Sequence, residues 1–127
     1  MQADATHPER LRVMVVDDDR DGATTLAALL ELEGYEVRTE HDGLSVLPAV
    51  DEWHPSCVLL DIDLPGLDGF AIARGLRSQA SQHGTVLIAT TGWSRPVDRE
   101  TAAVCGIDHF LAKPVELDEL LALMPHR

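Results

Sequence analysis

The sequence predicts a single α/β domain in which a doubly wound, five-stranded parallel sheet is covered on both faces by about five helices, and three observations support this. Short apolar runs alternate along the chain with stretches of helical periodicity, the pattern of repeated strand and helix units. Four of those runs end on chemically distinctive residues: Val13-Met14-Val15-Val16 on Asp17-Asp18-Asp19, Cys57-Val58-Leu59-Leu60 on Asp61, Val86 to Thr90 on Thr91-Gly92, and Phe110-Leu111-Ala112 on Lys113-Pro114. The length of 127 residues suits one domain with a real core. If the strands lie parallel, their carboxyl ends converge on one pocket, the place where open α/β sheets bind ligands.

Each element has its own justification. Residues 1–10 lack a hydrophobic period and are expected to form a flexible arm, with the folded domain running over 11–127. Leu11 to Val16 is the first strand. Asp19 or Asp21 can cap a helix in which Ala23, Leu26, Ala27 and Leu30 recur at helical spacing, and Gly34 ends it at C′. Tyr35 to Glu40 alternates apolar and polar residues as a half-exposed strand does, and His41-Asp42-Gly43 is a turn. Leu44 to Trp53 is a weak helix, expected to be short or kinked because Pro48 removes a backbone donor.

Cys57 to Asp61 is the third strand, and Pro65 to Gly69 is a turn into a helix whose Phe70, Ala73 and Leu76 face the core. Ser78 to Gly84 is a polar loop. After the fourth strand, Pro96 suits the first turn of a helix that Gly106 ends. His109 to Ala112 is a short fifth strand, and Leu117, Leu120, Leu121 and Met124 mark the buried stripe of a closing helix.

Composition narrows the function. A net charge of -12 argues against a direct nucleic-acid or anionic-membrane surface, because basic patches supply that affinity. With nine arginines and a single lysine, the placement of Lys113 between an apolar run and a proline carries unusual weight. No stretch reaches the roughly 18 apolar residues of a membrane span and the polar start lacks a signal-peptide core, so a cytoplasmic protein without membrane insertion is expected. Cys57 and Cys105 lack metal-type spacing and read as reduced core thiols. The six histidines show no ligand spacing either.

Carboxylates crowded at neighbouring strand ends repel one another by roughly 4 kcal/mol per close pair at an effective dielectric near 20, so something positive must offset them. Hard oxygen ligands select a hard cation. Mg²⁺ fits, since it binds through one or two carboxylates and completes its shell with water and phosphate oxygen. Asp17, Asp18 and Asp61 are therefore read together, whereas Asp19 and Asp21 serve as helix-capping residues.

From about Leu11 to Met124 the chain resembles bacterial response-regulator receiver domains, the phosphoacceptor modules of two-component signalling. VMVVDDD, LLDIDLPGLDG, ATTG and FLAKP carry the resemblance in family order. It implies a flavodoxin-like sheet with strand order 2-1-3-4-5, phosphorylation at Asp61, direct Mg²⁺ ligation by Asp18 and Asp61, partly water-mediated ligation by Asp17, and a backbone carbonyl ligand from Asp63. Mn²⁺ can substitute for Mg²⁺. Thr91 would hydrogen-bond the phosphoryl group, Lys113 would pair with it, and Phe110 stands where the family places a switching aromatic. The implied donor is a histidine kinase or a histidine phosphotransfer protein, and the implied recipient of the signal is a further protein. Such a domain is not an enzyme with a separate substrate; it catalyses only its own phosphorylation and dephosphorylation.

Asp63 and Trp93 occupy positions that in this family tune phosphoryl lifetime, and Asp63 is expected to add negative charge at the pocket mouth. Phe110 lacks a hydroxyl, so any switch it makes relies on packing. Two alternatives stand beside this reading. Asp61-Ile62-Asp63 after an apolar strand also resembles the nucleophile and acid/base pair of haloacid-dehalogenase-type phosphatases, although the acidic pair there follows the nucleophile instead of preceding it. A receiver-like binding module that is never phosphorylated is the other.

Overall fold

The computed structural model describes residues 11–64, 68–79, 84–92, 100, 101 and 103–125. In chain order these form β1 (Arg12–Val16), α1 (Arg20–Leu32), β2 (Glu36–Glu40), a 3-10 turn (Gly43–Ser45), α2 (Val46–Trp53), β3 (Cys57–Asp61), α3 (Gly69–Ser78), β4 (Val86–Thr91), β5 (His109–Ala112) and α4 (Leu117–Leu123). Residues 100, 101, 103 and 104 are also helical. The sheet has five strands, all parallel, in the order β2-β1-β3-β4-β5, the flavodoxin-like order expected. The expected arm at 1–10, the turn at 65–67 and the helix start at Pro96 lie outside the described residues.

The central strands are apolar throughout because both their faces are covered. On β1, Met14 and Val16 point into a core shared with α2 and α3, where Val46, Val50, Ile72 and Leu76 lie. Val13 and Val15 point the other way, to Ala23 and Leu30 of α1 and Leu120 of α4. Period-2 alternation thus feeds two cores from one uninterrupted apolar run. Edge strand β2 has one neighbour and is half-buried along its length, hence its mixed sequence.

Local chemistry sets the helix ends. Asp19, one of the two predicted caps, accepts the Gly22 amide at 3.2 Å, and Gly34 follows α1 at φ 98°. The helix expected to be short or kinked is short, with eight residues, and starts at Val46 instead of Leu44; Pro48 is its third residue, in the first turn, where amides have no intrahelical acceptor to lose. Asp68 caps α3 through the Phe70 amide at 3.0 Å. At Gly69 a Cβ would lie 2.6 Å from the Ile62 Cα, so glycine lets α3 start directly against the residue that follows Asp61.

Cys57 and Cys105 are buried and free. Burial, followed by the charge of Asp108, pushes the Cys57 thiol up to about 12. The thiolate is the nucleophile, so native protein treated with iodoacetamide at about pH 8 is expected to keep Cys57 unmodified, and denaturant to expose it. Peptide mass mapping checks this. Rapid native alkylation of Cys57 would contradict the packing of α1 and α4 over β3.

Candidate functional site at the carboxyl ends of the strands

The sheet register brings the predicted residues together. Val16 pairs with Leu60, Leu60 with Ala89, Asp61 with Thr90 and Thr91 with Ala112, so the strands finish level with one another. The backbone ladder runs on past the strand ends. The Asp17 amide donates to the Glu40 carbonyl at 3.0 Å, the Ile62 amide to Thr90 at 3.1 Å and the Lys113 amide to Thr91 at 2.8 Å. Asp17, Asp61, Thr91 and Lys113 are therefore held on rigid backbone at one rim.

Asp61 is the buried member, with 2% of its surface exposed. Its Oδ2 accepts Lys113 Nζ at 2.8 Å and its Oδ1 accepts the Asp63 amide at 2.8 Å. Lys113 Nζ also lies 3.3 Å from Asp17 Oδ2, so one ammonium bridges two carboxylates. Burial pushes the Asp61 carboxyl above the usual carboxylate range, and the partners that oppose this, led by Lys113, do not fully offset it. For Lys113 burial acts downwards, but the hydrogen bond and charge of Asp61, joined by Asp17, prevail and hold its pKa above the ordinary lysine value. The site therefore carries excess negative charge even with Lys113 protonated.

Oxygens of Asp17, Asp18 and Asp61 all lie within 4.8 Å of one another, with Asp18 exposed and Asp17 half-exposed. Three hard, anionic donors at that spacing, open on one side to solvent, suit Mg²⁺ with several retained waters. Asp19 stays apart as a cap whose amide donates to Asp17 Oδ1 at 3.0 Å, fixing that carboxylate's orientation. Beside the cluster, a groove of about 650 Å³ between α1 and the residues after β5 is lined by Asp17, Gly22, Thr25, Leu26, Lys113 and Pro114.

Two contacts at the site were not anticipated. The Asp63 side chain turns towards β4, where its Oδ2 accepts the Thr91 hydroxyl at 2.7 Å and the Gly92 amide at 2.9 Å. His41 Nδ1 lies 3.0 Å from the Asp17 carbonyl. The register could have indicated both, since in-phase β3 and β4 put residue 63 beside 91 and 92, and the Asp17–Glu40 contact brings residue 41 alongside. Phe110 is half-buried on β5 and packs against the core that includes Leu87 and Ala89. Trp93 lies outside the described residues.

The fold is doubly wound, with a buried carboxylate and a lysine bridging it to an acidic cluster at the carboxyl ends of the strands. The chain belongs to the response regulator receiver domain family, whose model matches residues 13–124. It is 39% identical over 114 residues to the uncharacterized transcriptional regulatory protein YkoG of Bacillus subtilis, covering 90% of this chain and 49% of that one. The chain thus spans about half the length of the curated relatives it matches.

Among solved structures, a response regulator from Burkholderia pseudomallei with a phosphorylated aspartic acid, a calcium ion and citrate superposes with a TM-score of 0.84 at 27% identity, covering 91% of this chain and 66% of that one. The receiver domain of sensor histidine kinase PA1611 from Pseudomonas aeruginosa PAO1, with magnesium coordinated in its active-site cleft, gives 0.79 at 29% identity, covering 89% and 93%. The chain is a phosphoacceptor receiver domain of two-component signal transduction, and the phosphatase alternative finds no support. Among the described residues no helix is long and apolar enough to cross a membrane.

Proposed function

We propose that Asp61 is the phosphoacceptor, that Asp17, Asp18, Asp61 and the Asp63 backbone carbonyl hold Mg²⁺, for which Mn²⁺ can substitute, and that Thr91 and Lys113 bind the transferred group. The observation that carries this is the buried Asp61 carboxylate, 2.8 Å from Lys113 Nζ and clustered with Asp17 and Asp18. When bound, the cation would neutralise charge on the transferring oxygens. An Asp61 oxygen attacks phosphorus; the bond to the donor's imidazole nitrogen breaks, and its electron pair stays on that nitrogen. The ring, protonated at its other nitrogen, leaves neutral. Lys113 stays protonated and moves with the new charge instead of transferring a proton.

The donor is a histidine kinase or histidine phosphotransfer protein, and the groove beside α1, lined by Asp17 and Lys113, gives it a surface to dock against next to the site. The new dianion recruits Thr91, and Phe110 repacks towards the core, changing the outer face for a downstream protein. The domain acts in the cytoplasm, on no separate substrate, and its net charge of -12 favours a protein partner over direct nucleic-acid contact.

With acetyl phosphate and Mg²⁺, the protein is expected to gain the mass of one acid-labile phosphoryl group. Borohydride reduction of the acyl phosphate should then leave homoserine at position 61 in a peptide map. Phosphoryl mass gained without divalent cation, or reduction at another position, would overturn the assignment.

A further inference from the structure

We infer that the Asp63 carboxylate is an internal competitor of the phosphoryl group, occupying the Thr91 hydroxyl and the Gly92 amide until phosphorylation of Asp61 displaces it. The inference rests on the reading of Asp61 as phosphoacceptor. One oxygen, Asp63 Oδ2, takes both donors, at 2.7 and 2.9 Å. These donors stand at the end of β4, the strand paired with β3 up to Asp61↔Thr90, so they adjoin the carboxylate that is to carry the group. Lys113, just past β5 on the far side of β4, donates to Asp61 Oδ2, while the Asp63 amide donates to Oδ1.

A phosphoryl group brings three oxygens that need strong donors, and a carboxylate is the side chain that most resembles it in charge and acceptor geometry. Asp63 can be displaced because it is exposed: once released, its carboxylate is hydrated and left with no buried charge. Its backbone need not move for this, since the Asp63 amide is anchored on Asp61 Oδ1 and only the side chain has to rotate. Asp63 is thus a positioning residue. It holds Thr91 and Gly92 in place before phosphorylation and sets a threshold that the incoming anion must exceed.

The test is the affinity of beryllofluoride, a phosphoryl mimic, at saturating Mg²⁺, measured by calorimetry. Asp63→Asn leaves a neutral, weaker acceptor and Asp63→Ala leaves none, so affinity should rise in that order, reaching about tenfold for alanine as charge-assisted hydrogen bonds are no longer displaced. Charge repulsion alone would also tighten binding. The two causes separate in a Thr91→Val background, where one of the two displaced bonds is already gone and the gain from Asp63→Ala should shrink several-fold. Unchanged or weaker binding by both Asp63 variants would overturn the proposal, and so would an equal gain with and without the Thr91 hydroxyl. Failure of the wild-type protein to bind beryllofluoride, or equal binding by Asp61→Asn, would instead remove the phosphoacceptor reading on which the inference rests.

Discussion

Asp61→Asn is expected to abolish phosphoryl acceptance from acetyl phosphate and, in the same molecule, to raise stability at neutral pH when no divalent cation is present. The first effect follows from the loss of the attacking carboxylate: an amide oxygen on this buried side chain cannot form the acyl phosphate. The second follows from the direction of the Asp61 shift. Burial raises its folded-state pKa above the ordinary 3.8, so the fold favours the protonated form. That contribution is present below the unfolded-chain value and is lost as pH rises through the folded one. At neutral pH the ionised Asp61 therefore works against the fold, beside Asp17 and within 4.8 Å of Asp18.

Asparagine removes that cost, so the unfolding midpoint of the variant should exceed that of the wild type, and the gap should close as pH falls through the Asp61 titration. Mg²⁺ reverses the ranking. At a hundredfold excess over its dissociation constant a ligand stabilises the native state by about 2.7 kcal/mol, a gain open to the wild type and largely closed to the variant. Thermal melts of both proteins with and without Mg²⁺ check the crossing. A variant less stable than the wild type at neutral pH without cation would show that Lys113 outweighs burial and the neighbouring acids.

The parts of this molecule that were legible in its sequence are those fixed by periodicity and by strand ends. Val13 to Val16 and Cys57 to Leu60 read as buried strands because both their faces meet helices, leaving no room for polar alternation. Once those strands are parallel and in register, Asp17, Asp61, Thr91 and Lys113 have to meet, and they do. The short α2 was legible from Pro48, but its start was not, because a proline is tolerated throughout the first turn and the local sequence does not say where that turn begins. The direction of the Asp63 side chain was hidden for a different reason. An exposed residue just past a strand can rotate towards either neighbour, and what drew it to β4 was a hydroxyl and an amide 28 and 29 residues further along the chain. Period and spacing carry no information about such a choice.

Lys113→Ala should move cation affinity and phosphoryl acceptance in opposite directions. Lys113 is the chain's one lysine, and its Nζ bridges Asp61 at 2.8 Å and Asp17 at 3.3 Å, placing a positive charge where the divalent cation would bind. Removing it relieves repulsion of the cation and leaves both carboxylates seeking a partner, so Mg²⁺ should bind several-fold to tens-fold more tightly, well below the bare Coulomb value because the ammonium is partly exposed and screened by solvent. Phosphoryl acceptance should fall about 10²- to 10³-fold, the usual consequence of losing one preorganised donor to developing negative charge.

Protonation of Lys113 does not confuse the comparison. Its folded-state pKa is raised above the ordinary 10.5, so its ion-pair contribution is fully present below that value and is lost only as pH rises through the higher one. Across neutral pH the wild-type lysine is charged, and the variant differs from it by one full charge. Lys113→Arg keeps the charge but moves it along a longer, planar group, and should retain wild-type cation affinity more nearly than wild-type transfer rate. Mg²⁺ titration and acetyl phosphate kinetics on the three proteins give both quantities. If Lys113→Ala bound Mg²⁺ no more tightly while accepting phosphoryl at the wild-type rate, the ammonium would be a strand-end ion pair with no part in the transfer.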